Sequence, residues 1–174
     1  MARKIVQPTG REVFFDRDEI IVSKTDTKGR ITYCNDVFLR IAGYTEAELL
    51  GEPHSIIRHP DMPRCVFKLL WDAIQAGHEI FAYVKNMTKS GDHYWVLAHV
   101  TASLDESGRI VGYHSNRRVP ERSAVERIER LYADLKATED KPANRKEGIA
   151  EGEKMLLGLL AGEGISYDAF VFSL

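Results

Sequence analysis

The sequence predicts an α+β domain in which one antiparallel sheet carries short helices on one face. Three observations predict this class. Two short alternating segments joined by turn residues come first, short helix-like segments separated by glycine and proline follow, and three longer alternating segments come last. Strands joined by tight turns pair antiparallel, and helices grouped between two sets of strands collect on one side of the sheet.

Five segments alternate between apolar and polar residues and end at turn residues, which predicts strands at residues 19–26, 30–34, 79–88, 93–104 and 109–118. The predicted helices lie between the second and third strands, from Asn35 to Gly43 and over residues 45–51 and 64–76. Asn35 is a suitable N-cap, and Gly43 ends the first helix. Residues 52–63 contain three prolines, so they cannot form one continuous helix.

The domain is flanked by segments of different composition. In chain order we predict an N-terminal extension at 1–17, the domain at 18–119, a helix at 120–137, and a linker and tail of unknown role at 138–174. The extension carries an apolar patch at 13–15 that needs a covering surface. The tail contains a polar, linker-like stretch at 136–147, a helical run at 151–160 and a β-prone end at 170–172.

Composition and charge exclude several classes of function. Hydrophobic residues make up 44% of the chain and charged residues 29%, an ordinary globular mixture. The net charge of −2 gives no sign of a nucleic-acid-binding surface. The longest apolar run, 155–161, is too short to span a bilayer. Cys34 and Cys65 form no CxxC pair, which favours a reduced, cytoplasmic setting.

No catalytic motif is present, so we predict that the chain is not an enzyme. The sequence lacks a glycine-rich phosphate loop, a GxSxG elbow and an HExxH zinc motif. His54 and His59 are five residues apart in the proline-rich segment, which is not the i,i+4 spacing of a helical metal pair. A hydrogen-bonded structural role is favoured for them over metal ligation, and no metal site is predicted.

The polar residues of the proline-rich segment form the first candidate binding site. His54, Arg58, His59 and Asp61 lie between prolines that stiffen the backbone. The Arg58 guanidinium offers a rigid fork for phosphate or carboxylate, and the alternative is a surface corner in which Arg58 pairs with Asp61. Asn86 stands in a predicted strand, where asparagine is unfavourable. Its amide matches the pyrimidine edge of a flavin, and the alternative is that Asn86 begins the next turn.

The fourth predicted strand has two different faces. The face that we predict to point inward carries Tyr94, Val96, Ala98 and Val100. Trp95, with His93 and His99, then points outward, toward the N-terminal extension or a partner. An exposed aromatic patch often marks an interface, so we expect self-association, as a homodimer, through this face and the extension.

Three strings, GYTEAELLGEPHSIIRHPDMP, VKNMTKSGDHYWV and GRIVGYHSNR, resemble the sensor domain of bacterial aerotaxis receptors, a PAS domain, over about residues 20–137. The resemblance implies the PAS fold, a five-stranded antiparallel sheet with a ligand cleft between the sheet and the helices. It also implies FAD as the cofactor, with a redox state that reports oxygen or respiratory status. The residues that the resemblance places in the pocket are His54, Arg58, His59, Asp61 and Asn86.

The sequence departs from related sensors at two positions. Ile80 stands where the aerotaxis pocket has a tryptophan, and His54 stands about where light-oxygen-voltage photoreceptors carry a reactive cysteine. Cys34 and Cys65 align elsewhere, so no cysteinyl photoadduct is expected. Two alternatives stay open: a haem-binding gas sensor with His54 or His59 as the axial ligand, and a ligand-free PAS domain that serves as a dimerisation module.

Overall fold

The computed structural model describes residues 6–174, and its centre is one five-stranded antiparallel sheet with the strand order β2-β1-β5-β4-β3. The strands are β1 (Ile21–Thr25), β2 (Ile31–Cys34), β3 (Ile80–Met87), β4 (His93–Leu104) and β5 (Ile110–Arg118). All four neighbouring pairs are antiparallel. Each predicted strand is present, and the predicted fold class is confirmed.

Short helices cover one face of the sheet, in the order predicted. They are α1 (Asp36–Ala42), α2 (Glu46–Leu49), a 3₁₀ helix (His54–Ile57) and α3 (Arg64–Gln75). The Asn35 side chain accepts a hydrogen bond from the Phe38 N–H at 3.1 Å and so caps α1. Gly43 ends the helix with a φ of 73°, a left-handed conformation that glycine adopts without strain. The proline-rich segment forms the 3₁₀ helix and turns, as its prolines require.

Two C-terminal helices of the chain, α4 (Arg122–Glu139) and α6 (Tyr167–Ser173), cover the opposite face of the sheet. Between them in sequence, α5 (Arg145–Glu163) packs against α4 and α3. Trp95 is only 4% exposed because it stacks on Tyr132 of α4, with 6.2 Å between ring centroids. The Tyr132 hydroxyl also donates to the Tyr83 carbonyl oxygen at 2.7 Å. The expectation that Trp95 lies on an exposed aromatic patch is therefore wrong.

The structure corrects two expectations for the C-terminal segment. The polar stretch 136–147 is mostly helical, because α4 continues to Glu139 and α5 begins at Arg145. Residues 170–172 lie in α6 rather than in a strand, since the Ser166 side chain caps that helix and Phe170 and Val171 are buried in the core. Within residues 6–174, no single helix is long and apolar enough to cross a membrane. Among these described residues, α5 and α6 reach that length and hydropathy only as a pair, and the two helices meet at 75°.

The N-terminal extension continues the sheet beside β4 where β5 has ended. The Val13 N–H donates to the His93 carbonyl oxygen at 2.8 Å, and the His93 N–H donates to the Arg11 carbonyl oxygen at 2.9 Å. Val13 and Phe15 pack against the core, whereas Phe14 is 71% exposed. Two of the three residues of the apolar patch are thus covered by the chain's own domain. Residues 1–5, also part of the predicted extension, lie outside the described residues.

Candidate functional site

A cavity of about 240 Å³ lies between the inner face of the sheet and α3. Its walls are mainly apolar side chains from β3, β4 and α3, among them Phe67, Leu70, Trp71, Ile74, Val84, Ala98 and Val100. Trp71 stands edge-on to Tyr113 of β5, with 5.5 Å between ring centroids. Pockets for drug-sized ligands are typically about 300–1,000 Å³, apolar, with a few convergent polar groups. This cavity therefore suits a flat ring system whose remaining atoms extend through the opening.

Three of the five predicted site residues line the cavity, and two lie elsewhere. His54, Arg58 and Asn86 are part of its lining. His59 is buried outside the cavity, edge-on to His93 at 5.7 Å between ring centroids. Asp61 accepts a hydrogen bond from the Lys85 ammonium at 3.0 Å, beneath α4. The structure thus places His59 and Asp61 outside the cavity lining, apart from the other three predicted residues.

The separation follows from a contact between distant parts of the chain. The backbone of Arg58 forms an antiparallel bridge with Asn86 at the edge strand β3. Successive residues in an extended chain point to opposite faces of a sheet. Arg58 and Asn86 consequently share the inner face, whereas His59 belongs with Lys85 on the outer face.

Arg58 is a cation without a carboxylate partner among the described residues. Its guanidinium lies over the Phe67 ring at 3.9 Å, and its buried Nε has no hydrogen-bond partner there. Burial lowers the pKa of Arg58, and the positive charges of Arg145 and Arg64 lower it further. The alternative pairing with Asp61 does not form, so the guanidinium is available to an anionic group.

Arg117 of β5 is a cavity residue that the sequence reasoning missed. It is 2% exposed, donates from Nη2 to the Ser23 hydroxyl at 2.5 Å and lies over the Phe38 ring at 4.5 Å. Its Nε and Nη1 have no partner among the described residues, and burial lowers its pKa to about 10. A charged residue at an inward-facing position of an alternating strand is the signal that could have found it.

The charged side chains that line the cavity are all positive. Lys28, Arg58 and Arg117 line it, and among residues 6–174 no Asp or Glu does. His54 shares a hydrogen bond of 3.0 Å between its Nε2 and the Ser23 hydroxyl. Burial lowers the pKa of His54 to about 3, with Arg117 and Arg58 adding to the effect, so the imidazole is neutral at pH 7. The lining suits a ligand that is anionic or carries acceptor atoms.

Asn86 stands at the β3 end of this lining. It is 4% exposed and lies opposite Tyr94 in the register of β3 and β4. Its amide lines the cavity and offers one acceptor and two donors. Ile80, at the other end of the strand, is buried and is not part of the lining. Within residues 6–174 no group of three or more His, Cys, Asp or Glu side chains is placed to hold a metal ion.

Comparisons with known proteins agree with this architecture. The chain is 41% identical to the aerotaxis receptor of Escherichia coli (strain K12) over 120 residues, which cover 69% of this chain and 24% of the receptor. It is 25% identical to a nitrogen fixation regulatory protein of Klebsiella pneumoniae over 103 residues, 59% of this chain and 21% of that protein. The chain therefore spans about a quarter or less of the length of these relatives.

Solved structures of photoreceptor domains share the fold. The light state of the blue-light photoreceptor Aureochrome1 LOV superposes with a TM-score of 0.55 at 24% identity, covering 67% of this chain and 91% of that one. A light-oxygen-voltage domain studied with a flavin analogue superposes with a TM-score of 0.56 at 18% identity, covering 66% of this chain and 86% of that one. At these identities the likeness shows the fold alone.

This chain also matches a protein-family model. Residues 31–117 match the model described as the PAS fold, which spans β2 to the cavity residue Arg117. The relatives that share this fold include a receptor and a photoreceptor, which agrees with the prediction of a sensor domain. The family match and the receptor-type relative confirm the resemblance seen in the sequence: this chain belongs to the PAS fold family.

Proposed function

We propose that this PAS domain binds a flavin, specifically FAD, in the cavity between the sheet and α3, and that it signals redox or oxygen status by a conformational change. The observation that carries the proposal is the cavity itself. Among the described residues its lining combines apolar side chains, the Asn86 amide and the cations Lys28, Arg58 and Arg117, and it includes no carboxylate. The aerotaxis receptor of Escherichia coli (strain K12), at 41% identity, supports the same class of signal.

Each part of the cavity has a role in this proposal. Leu70 and Trp71 of α3 face the sheet residues Val84 and Ala98 across the cavity and would enclose a ring between them. Asn86 would pair with donor and acceptor atoms at the pyrimidine edge of the ring. A bound flavin supplies reversible uptake of electrons. The chain excludes water from the ring and fixes the charges around it, which determines how strongly each redox state is bound.

The cations would hold the anionic part of the cofactor. A guanidinium binds phosphate through charge-assisted hydrogen bonds, which are stronger than neutral ones. Arg58 is free of a carboxylate partner among the described residues, and Lys28 is exposed at the lining. These two side chains are our candidates for the pyrophosphate of FAD.

The route for the signal begins at Arg117. A change of charge in the cavity alters the free energy of a buried guanidinium that already lacks two hydrogen-bond partners among the described residues. Arg117 is the penultimate residue of β5, and α4 begins at Arg122. A shift of β5 would therefore change how α4 sits on the outer sheet face. A ligand state that favours one packing shifts the population toward it.

We further propose that the protein acts in the cytoplasm and self-associates as a homodimer. Because Trp95 is covered by α4, the exposed part of the predicted contact is Phe14 of the extension. Deleting residues 1–17 is expected to lower the mass in solution from that of a dimer to that of a monomer. An unchanged mass, measured by light scattering, would contradict association through the extension.

The visible spectrum of the purified full chain tests the proposed cofactor. The expected result is the two-band absorption of oxidised flavin. A Soret band would instead support the haem alternative, for which His54 is the one of the two predicted axial ligands that lines the cavity, together with His114 of β5. A colourless protein that takes up no flavin on reconstitution would support a ligand-free PAS module.

A further inference from the structure

The last residue of α4 caps the helix that lines the cavity. Glu139 is 1% exposed, and its carboxylate accepts hydrogen bonds from the backbone N–H groups of Arg64 at 2.8 Å and Cys65 at 2.7 Å. These are the first two residues of α3, whose own N-cap position is Pro63 and supplies no side-chain hydrogen bond. A carboxylate at this position satisfies N–H groups that have no intrahelical partner and complements the helix dipole.

Helix α5 covers the Glu139 cap through two glycines. A Cβ atom at Gly148 would lie 2.1 Å from the Glu139 carbonyl oxygen, and one at Gly152 would lie 2.7 Å from the Glu139 Cγ. The same Cβ at Gly152 would lie 3.2 Å from the Cys65 Sγ. No larger side chain fits at either position while α5 is docked. Only glycine thus allows α5 to seal the carboxylate and the Cys65 thiol, which is 0% exposed.

The two ends of α3 therefore serve different parts of the chain. Its first turn is held by Glu139, and Lys68 bridges to Glu153 of α5 at 2.9 Å. Its later turns place Phe67, Leu70 and Trp71 in the cavity wall. One rigid helix thus contacts both the proposed cofactor and the C-terminal helices.

We infer that the Glu139 cap is a latch that holds the end of α4, and α5 packed over it, on α3, and that the occupant of the cavity controls how often this latch opens. The coupling to the occupant rests on the proposed function, whereas the latch itself does not. A ring between α3 and the sheet restrains α3 and so favours the docked state. Because coupling between two sites is reciprocal, opening the latch weakens flavin binding by the same factor.

Labelling of Cys65 by a maleimide reports the open state directly. The experiment uses the full chain with Cys34→Ser, so that Cys65 is the one thiol. Two variants release the latch by different routes: Glu139→Gln removes the charge and turns an amide donor toward a backbone donor, and Gly152→Ala inserts a methyl group beneath α5. Their controls on α5 are Glu151→Gln, an exposed position, and Gly158→Ala, where an added Cβ meets nothing within 4 Å.

In the flavin-free chain we expect both latch variants to label about tenfold faster than the parent, and both controls to stay within about twofold, since labelling of a buried thiol follows the open fraction. Glu139→Gln also removes a charge that raises the pKa of Cys65. Hydrogen exchange of the α5 amides does not depend on that thiol, and it is expected to accelerate in both latch variants. If both latch variants label and exchange at the same rates as their control variants, the inference of a latch is wrong.

The coupling is tested with the flavin-loaded parent. We expect Cys65 to label several-fold more slowly in the loaded chain than in the empty chain. We also expect Gly152→Ala to bind flavin several-fold more weakly, whereas Gly158→Ala binds it as the parent does. If Cys65 labels at the same rate in the loaded and empty chains, the cavity occupant does not control the opening of the latch. A chain that takes up no flavin would refute the proposed function and, with it, the coupling between the cavity and the latch. The labelling of the variants in the empty chain would still test whether the latch exists.

Discussion

Replacing Arg117 with methionine is expected to stabilise the flavin-free protein and to weaken flavin binding. Arg117 is fully buried, has no carboxylate partner among the described residues, and leaves Nε and Nη1 unpaired there. A buried charge without a partner is destabilising, and well-packed apolar replacements of such groups often increase stability. Methionine is unbranched and fills irregular space in a core.

The magnitude follows from the pKa of Arg117. Burial lowers this pKa from 12.5 to about 10, which corresponds to about 3 kcal/mol at 1.36 kcal/mol per pKa unit. At pH 7 the group is charged in both the folded and the unfolded state, so this whole cost is present. Loss of the hydrogen bond to Ser23 and of the contact with the Phe38 ring offsets about 1–2 kcal/mol. The net stabilisation is about 1–2 kcal/mol, or roughly 2–8 °C in Tm for a protein of this size.

The assay is thermal unfolding of flavin-free protein, together with the flavin retained per chain after reconstitution. Arg118→Met is the control, because Arg118 is the next residue of the same strand and is exposed. It is expected to change stability by less than about 0.5 kcal/mol and to leave flavin content unchanged. A Tm that falls by several degrees in Arg117→Met, or a flavin content equal to that of the parent, would refute the reasoning.

Three further predictions concern the cavity. Asn86→Ala and Arg58→Ala are both expected to lower the flavin content per chain, because each weakens flavin binding by about 1–3 kcal/mol. Only Asn86→Ala should shift the reduction potential of the flavin that remains. A potential shift in Arg58→Ala alone would invert the two roles. The pKa of His54 lies near 3 in the folded state, below 6.5 in the unfolded state, so the stability that depends on neutral His54 is present above pH 6.5 and is lost as the pH falls toward 3. Between pH 7 and pH 5 the free energy of unfolding, measured with denaturant, should fall by up to about 2 kcal/mol more in the parent than in His54→Gln. Equal decreases in the two proteins would exclude His54 as the cause. Blue light is expected to form no thiol–flavin adduct because neither Cys34 nor Cys65 lines the cavity; a bleached flavin band that recovers slowly in the dark, and only when both cysteines are present, would be evidence against this.

The elements that depend on local chemistry could be predicted from the sequence. The Asn35 cap and the positive φ of Gly43 fix the ends of α1, and both are properties of single residues in their immediate context. The inward face of β4 follows from alternation alone, and Ala98 and Val100 do line the cavity. Such features need no knowledge of distant contacts.

Which of the predicted site residues line the cavity depends partly on contacts that no local sequence pattern specifies. The bridge between Arg58 and Asn86 decides that His59 points away from the cavity, and it joins residues far apart in the sequence. Asp61 pairs with Lys85 rather than with Arg58 because both lie on the outer face. Proximity in the sequence therefore grouped residues that the fold separates.

The C-terminal helices were the least predictable part. Trp95 looked exposed because the strand pattern shows which face is less apolar but not what covers it. The cover comes from Tyr132, and the cap of α3 comes from Glu139, which is 74 residues from Cys65. A charged residue at the end of an amphipathic helix is ordinarily solvated. Only the tertiary structure shows that the Glu139 side chain is buried and bonded.

The central claim is that FAD occupies the cavity between the sheet and α3, and the FAD retained per chain by Ala98→Leu tests it most directly. Ala98 is 3% exposed and lines the cavity, so leucine places its added carbons where the ring would lie. The measurement is flavin absorbance per chain after reconstitution with FAD and gel filtration, with folding checked by circular dichroism. The account predicts about one FAD per chain for the parent and little or none for the folded variant. Full occupancy in the folded variant, or none in the parent, would contradict it.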